Sequence, residues 1–430
     1  MRIKDTRKYW MWLSHACGAG SKVAVSLVRY FGNAYNVFVA DEDAISQCDF
    51  RIDKRIKSNL LYKDISEEED IIKWCDGCGV KIICPDDSLY PPSLRALVDA
   101  PMTLYVLGVL PDFENMFTCA VVGTRSMTEY GRDMAYKFGY GLASGGACLV
   151  SGLAKGCDAM AMNGALDAGG TTVAVLGCGI DIVYPKENEA LLSKVLNAGA
   201  VITEYSPGVS PLRKNFPIRN RIISGISQSV CVIEGDMKSG SLITARHAIY
   251  QGRELFAVPG RVGESGAEGT NHLIKNGAEA VTTPEDILSR YEFIYPHSID
   301  VKKVVVPKIK PADEDEEIVV LPKKKKKAPV KNKKTKEEPF PQQPKAKSNV
   351  DFDSLSDEEK NIYRAMTPDI PMLAEEICSV SGMPVSTVMA ALTLLEISGA
   401  VESGAGGYFM RHADDEDVGE PAITELDEGI

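Results

Sequence analysis

Histidine is scarce in this chain: there are five in 430 residues, and none sits in a Gly-x-Ser-x-Gly or His-Glu-x-x-His setting. A hydrolase triad or a zinc protease therefore has no support from local motifs. Long apolar runs are missing too. No window approaches eighteen uninterrupted apolar residues, and the opening "MRIKDTRKYWMWLSHACGAG" carries charges where a signal peptide has its apolar stretch. A soluble, cytoplasmic protein with no membrane partner is expected. The eleven cysteines are odd in number and scattered singly, as at Cys119, Cys148 and Cys231 inside apolar runs, where a reduced thiol behaves as a small buried hydrophobe. Cys75-x-x-Cys78 followed by Cys84 is one ligand short of a structural zinc site, with no His nearby. Neither a disulfide framework, a metal nor a cofactor is expected.

What is present is a globular composition, 44% hydrophobic and 25% charged, long enough for two to four domains. The formal net charge is −12, which ordinarily argues against nucleic acid. That charge is unevenly placed: residues 301–350 hold 15 Lys against 7 acids, and the end of the chain from Arg411 holds one Arg against eight acids. The acidic total therefore excludes little.

Along the chain, residues 8 to about 60 have apolar residues at helical spacing broken by "GAGS" and "FGN". The pattern reads as a SAM-like or helix-hairpin-helix-like module over 1–75, whose Gly-rich turn suits either a phosphate or a protein contact. From Phe117 the pattern becomes strand, loop, helix, repeated: "FTCAVVG", "CLVSG", "TTVAVLG", "AVITEY", "SVCVIEG", "ELFAVPG" and "EAVTT". Short, continuously apolar, β-branched runs followed by helical stretches predict an α/β fold, a doubly wound parallel Rossmann-like sheet over 80–295. Residues 296–350 are Lys- and Pro-rich with little apolar content, and read as a disordered linker. Residues 351–412 give three amphipathic helices and a Gly-containing turn, a winged-helix pattern, and 413–430 an acidic disordered tail.

In open parallel sheets, ligands bind at the C-terminal strand edge, so the loops there are where binding chemistry is expected. The turn "VVGTRSMTEYG" lacks the full Gly-x-Gly-x-x-Gly, and "LGCGID" continues without a helix start, so no dinucleotide site is expected. Arg125 in "GTRS" offers a donor fork suited to phosphate, or a surface pair with Glu129 or Asp133. "SGLAKGCD" adds Lys155, and "KSGSLITA" adds Ser239, Gly240, Ser241 and Thr244, which serve as a helix cap or a phosphate cradle. In "KNFPIRNRIISGISQSVCVIEG", preceded by Arg213, an aromatic and a proline stand among Lys214, Arg219 and Arg221 ahead of an apolar helix and strand. Phe216 either stacks on a nucleic-acid base or packs under its loop. Four strand-end loops thus point to an anion-binding edge. Glu204 and Glu234 end strands, where a carboxylate acts as a base, holds Mg²⁺, caps a helix or pairs with an Arg.

The ordered run "VVGTRSMTEYG", "LVSGLAKGCDAMAMNGALDAGG", "FPIRNRIISGIS", "SGSLITARHA" and "GTNHLIKNGA" resembles the DNA-processing protein A family, DprA, also called Smf, over roughly residues 80–290. The resemblance implies an extended Rossmann-like domain, flanked by the SAM-like module and the winged helix. It further implies a non-enzymatic homodimer that binds and protects incoming single-stranded DNA and loads the RecA recombinase during natural transformation. Carried over by position, the DNA pocket falls on Arg125, Arg213 or Lys214, Phe216, Arg219, Asn220 and Arg221. The family's Gly-Ile-Asp and Ala-His are replaced by "GCDAMAM", with Cys157 and Met162 at the changed places.

Two other readings compete. A Rossmann-like nucleoside-phosphate hydrolase of the lysine-decarboxylase-like type would need a Pro-Gly-Gly-x-Gly-Thr loop, which "VPGRVGESGAEGTNH" imitates loosely. A winged-helix duplex-DNA regulator would need basic side chains on its recognition helix, and "PVSTVMAALTLLEISGA" has none.

Overall fold

All seven apolar runs are strands of one sheet in the computed structural model of the chain, which describes residues 5–306 and 355–411 apart from 369, 399, 405 and 406. Helices come first: α1 (Arg7–Cys17), α2 (Lys22–Phe31), α3 (Ala34–Val39), α4 (Glu42–Ser46), α5 (Lys54–Leu61) and α6 (Ser66–Cys78). Trp10, Met11 and Leu13 of α1 are buried with Leu27, Val37, Ile71 and Cys75, so the helical spacing read from sequence does build a core. The helical segment runs to Cys78, slightly past its expected end at 75.

The α/β part follows as β1 (Lys81–Ile83), α7 (Pro92–Arg95), β2 (Leu104–Gly108), β3 (Thr118–Val122), α8 (Glu129–Ser144), β4 (Cys148–Ser151), α9 (Cys157–Asp167) and β5 (Thr172–Val175). It continues with α10 (Glu189–Ala198), β6 (Ala200–Thr203), α11 (Asn215–Gly225), β7 (Ser229–Val232), α12 (Gly240–Tyr250), β8 (Glu254–Ala257), α13 (Ser265–Lys275), β9 (Glu279–Ala280) and α14 (Pro284–Tyr291). The sheet order is β1-β2-β6-β5-β4-β3-β7-β8-β9. Strands β3 to β9 pair in parallel and β3 to β7 are buried throughout, which is why their sequences lack alternation. From β3 the chain steps outward to β6 and then returns to β7 on the other side of β3, so the winding direction reverses between β3 and β7. β2 lies antiparallel to β6 and β1 antiparallel to β2. Neither was expected, because an antiparallel edge strand needs no crossover helix to announce it.

Residues 296–306, assigned to the linker from composition, pack on the end of α8 instead. Ser298 Oγ donates to the Gly146 carbonyl at 2.9 Å, and Asp300 N–H to the Gly145 carbonyl at 3.0 Å. Ile299 is buried there. The rest of the expected linker, and the expected acidic tail, lie outside the described residues.

The C-terminal part is a winged helix made of α15 (Asp357–Ala365), β10 (Met372–Leu373), α16 (Ala374–Ser381), α17 (Val385–Ile397), β11 (Val401–Ser403) and β12 (Tyr408–Arg411), with strand order β10-β12-β11. Ser356 and Glu359 form the capping box that starts α15. Ile362, Ile377, Val388, Leu392 and Leu395 make its core. The outer side of α17 exposes Val385, Met389, Leu394 and Ile397 and carries no basic residue, so it lacks the chemistry of a base-reading helix. Among the described residues, no single helix is long and apolar enough to cross a membrane.

Candidate nucleic-acid interface

The stretch expected as a cationic loop is the N-cap, Lys214, and about the first two turns of α11. Pro217 is compatible with this, since a first-turn residue has no intrahelical partner for the N–H that proline lacks. The helix start is pinned to the loop after β5: buried Asn215 donates from Nδ2 to the Gly177 carbonyl at 3.0 Å. At 100° per residue, Phe216, Arg219 and Asn220 share one face of the helix, whereas Arg221 points away from it.

Phe216 is half-buried, and its ring lies on Gly177, where a Cβ would stand 3.0 Å from Cδ1. The Arg125 guanidinium sits 5.6 Å from the ring centroid and that of Arg219 5.8 Å. Both cations are within range of the ring quadrupole. Arg125 is exposed and held by its backbone: Gly156, at φ +82°, lets the loop after β4 press on the Thr124 and Arg125 carbonyls, where a Cβ would stand within 2.3 and 2.7 Å. Cys157 N–H closes the contact on the Thr124 carbonyl at 3.1 Å. Met162, at a place where the sequence departs from the family pattern, is fully buried packing. Tyr184 adds a second aromatic, 39% exposed, with its ring 5.4 Å from that of Phe216. Tyr184, Gly177 and Asn215 were all missed from sequence. The signal of Gly177 and Tyr184 lies in "LGCGID" and "VYPKEN", and that of Asn215 in "KNFPIRNR" itself.

Three expected site residues are corrected. Arg219 is 4% exposed, and its Nη1 donates to the Gly152 carbonyl at 2.8 Å and to the Val175 carbonyl, tying the ends of β4 and β5 together. Burial pulls this guanidinium down to about 10, with nearby Asp158 opposing. It supports Phe216 from below and is not a free phosphate donor. Arg221 lies on the far side of α11, 2% exposed, with Nη2 2.5 Å from Glu204 Oε2 and Nε 3.9 Å from Asp99. The turn between α1 and α2 covers it: a Cβ on Gly20 would meet Ile218 at 3.1 Å and Arg221 at 3.3 Å. Thr244 is 1% exposed inside α12, away from the surface where a phosphate would lie.

The remaining candidates stay near the surface, except Asn220, which is buried at 8% exposure. Arg213 and Lys214 are exposed at the start of α11, and neither has an ion-pair partner among the described residues. Lys155 is exposed and paired with Glu187 at 2.7 Å, an exchangeable contact given that both side chains are more than half exposed. Asn220 donates to the Gly240 carbonyl at 3.2 Å, joining α11 to the N-terminus of α12. There Ser239 is the cap, its Oγ accepting from Ser241 N–H, and a Cβ on Gly240 would face open space. The two strand-end carboxylates are structural. Glu204 binds Arg221, and Glu234 Oε2 accepts from Thr128 N–H at 2.9 Å, at the cap of α8.

A family profile described as DNA recombination-mediator protein A matches residues 81–292, and a second, described as DprA winged helix domain, matches residues 343–407. DNA processing protein DprA of Streptococcus pneumoniae is 43% identical over 207 residues, covering 48% of this chain and 73% of that protein. The chain belongs to the DNA recombination-mediator protein A family. Protein Smf of Escherichia coli K12 is also 43% identical, over 226 residues, and the alignment spans 60% of its length. The X-ray structure of DNA processing protein A from S. pneumoniae superposes with a TM-score of 0.58 at 33% identity, covering 67% of this chain and 98% of that one. The mostly parallel sheet and the winged helix are thus those of the DprA family.

Proposed function

We propose that this sheet edge binds single-stranded DNA, with a base stacked on Phe216 beside Tyr184 and phosphates met by Arg125, Arg213 and Lys214. The observation that carries the reading is the half-buried Phe216 ring, seated on a glycine and flanked by guanidiniums at the open edge of the sheet. Such a ring takes any base face, and cations beside it track the backbone without reading sequence. Lys155, Ser239 and Gly240 extend the cationic, N–H-rich rim. With Glu204 and Glu234 committed to internal contacts, the edge is built for binding rather than turnover of a nucleotide. Membership of the family extends the reading to a cytoplasmic homodimer that protects incoming DNA and hands it to the RecA recombinase in natural transformation.

The test is binding of labelled single-stranded DNA, duplex and mononucleotide at two salt concentrations. Single strands should bind best, with little sequence preference. If Arg125, Arg213 and Lys214 each neutralise one phosphate, log K against log salt should slope at about −2.1, from about −0.7 per phosphate. A duplex preference, turnover of the mononucleotide or a slope near zero would overturn the proposal.

A further inference from the structure

His15, Glu68 and Ser206 come from three distant parts of the chain and meet in one line of hydrogen bonds. His15 Nε2 lies 2.7 Å from Ser206 Oγ, and His15 Nδ1 lies 2.7 Å from Glu68 Oε1. His15 is in the last turn of α1, Glu68 in the first turn of α6, and Ser206 follows β6. The Glu68 side chain is 5% exposed and its second oxygen, Oε2, has no partner among the described groups, whereas the His15 side chain is 33% exposed. Solvent thus reaches the imidazole while the carboxylate behind it stays dry. The hydroxyl of Tyr105 on β2 stands 3.1 Å from Ser206 Oγ.

This is the arrangement of a nucleophile, a base and an orienting carboxylate, which is recognised by geometry and roles rather than by chain order. A carboxylate on Nδ1 holds that nitrogen as the N–H donor and leaves the Nε2 lone pair for the serine proton. The buried Tyr105 phenol gives Ser206 Oγ a second polar neighbour, which helps fix the orientation of that hydroxyl.

We infer that Ser206 is an activated nucleophile with His15 as its general base and Glu68 as its positioning residue, and that it takes small activated acyl esters. Oγ bonds to the ester carbonyl carbon as its proton passes to His15 Nε2. The bond to the leaving alkoxide then breaks, the alkoxide takes that proton, and an acyl-Ser206 ester remains. Water attacks the acyl carbon, gives its proton to His15 and releases the carboxylic acid as Ser206 regains a proton.

The full chain is treated with a fluorophosphonate, from which Ser206 Oγ displaces fluoride to form an O–P bond, and separately with p-nitrophenyl acetate. The expected result is a single adduct mapped by mass spectrometry to Ser206, with p-nitrophenolate release that is lost in Ser206→Ala. In His15→Gln both rates should fall about 10²- to 10⁴-fold, with melting curves recorded for each variant. An unlabelled Ser206, or a labelling rate unchanged by a folded His15→Gln, would overturn the assignment. The adduct map uses the unsubstituted chain, so it decides the matter even where a variant fails to fold.

Discussion

The ring of Phe216 rests on the backbone of Gly177, where an added Cβ would stand 3.0 Å from Cδ1 and 3.2 Å from Cε1. That contact sets the height of the ring above the sheet edge. Gly177→Ala should therefore lift or tilt Phe216 by a few tenths of an ångström, with overpacking that costs about 1–3 kcal/mol at most. Affinity for single-stranded DNA should drop, by less than the full stacking contribution of about 1–3 kcal/mol per base. Titration and melting of this variant check it, and unchanged affinity would show that the ring height does not matter.

Stacking and charge should separate cleanly between Phe216 and Arg125. Phe216→Ala is expected to lose about 1–3 kcal/mol of binding and to keep the salt slope, since stacking releases no counterions. Arg125→Ala is expected to weaken binding and flatten the slope by about 0.7. Because Phe216 is half-buried, its truncation should cost less stability than the about 3–5 kcal/mol of a core Phe. A core-sized loss would make Phe216 a packing residue and remove the stacking surface.

Arg221 should behave as a buried structural cation. Arg221→Ala strands the Glu204 carboxylate, 5% exposed, and should cost about 3–5 kcal/mol of stability. Burial already holds the Glu204 carboxyl above its ordinary 4.5, with Arg221 opposing the shift. Where a folded-state value is raised, the folded chain binds the proton that the unfolded chain has lost, so this group's contribution falls as pH rises above 4.5. Without Arg221 the window widens upward. Urea melts should show the variant's deficit larger at pH 7 than at pH 5, whereas an equal deficit would mean that Glu204 does not titrate in that range.

The parallel strands were legible because the five buried on both faces, β3 to β7, must be apolar at every position, and because a crossover helix marks the strand before it. β1 has three residues and β2 is followed by no helix on its way to β3, so neither left that signature. At the site, Arg125 and Phe216 could be read from residue type and place. Arg219 and Arg221 could not be told apart from sequence while the segment was read as a loop. Once it is a helix, two residues two positions apart face different surroundings, one the strand-end carbonyls and the other Glu204. Tyr184 and the His15–Glu68–Ser206 line are tertiary contacts between distant segments, and no local motif records them.

The boundary after the α/β part should show in truncations. Every residue proposed to touch DNA precedes residue 245, so a chain ending at 306 keeps the whole site and should bind single-stranded DNA with the same Phe216 dependence. Affinity should fall modestly if the Lys-rich segment beyond 306 adds phosphate contacts. A chain ending at 295 removes Ser298, Asp300 and Val305. These donate to the Gly146 carbonyl, to the Gly145 carbonyl and to Ser144 Oγ, the last at 3.0 Å. It also uncovers buried Ile299 and leaves the Phe117 N–H without Ser298 Oγ. Each polar group left unpaired in a buried setting costs about 1–3 kcal/mol, though at this edge water replaces part of that. The 295 form should therefore melt below the 306 form, with the binding slope against salt unchanged in whatever fraction remains folded. Equal melting of the two would mean that residues 296–306 add nothing to the fold, and loss of binding by a folded 306 form would place the DNA site in the C-terminal part.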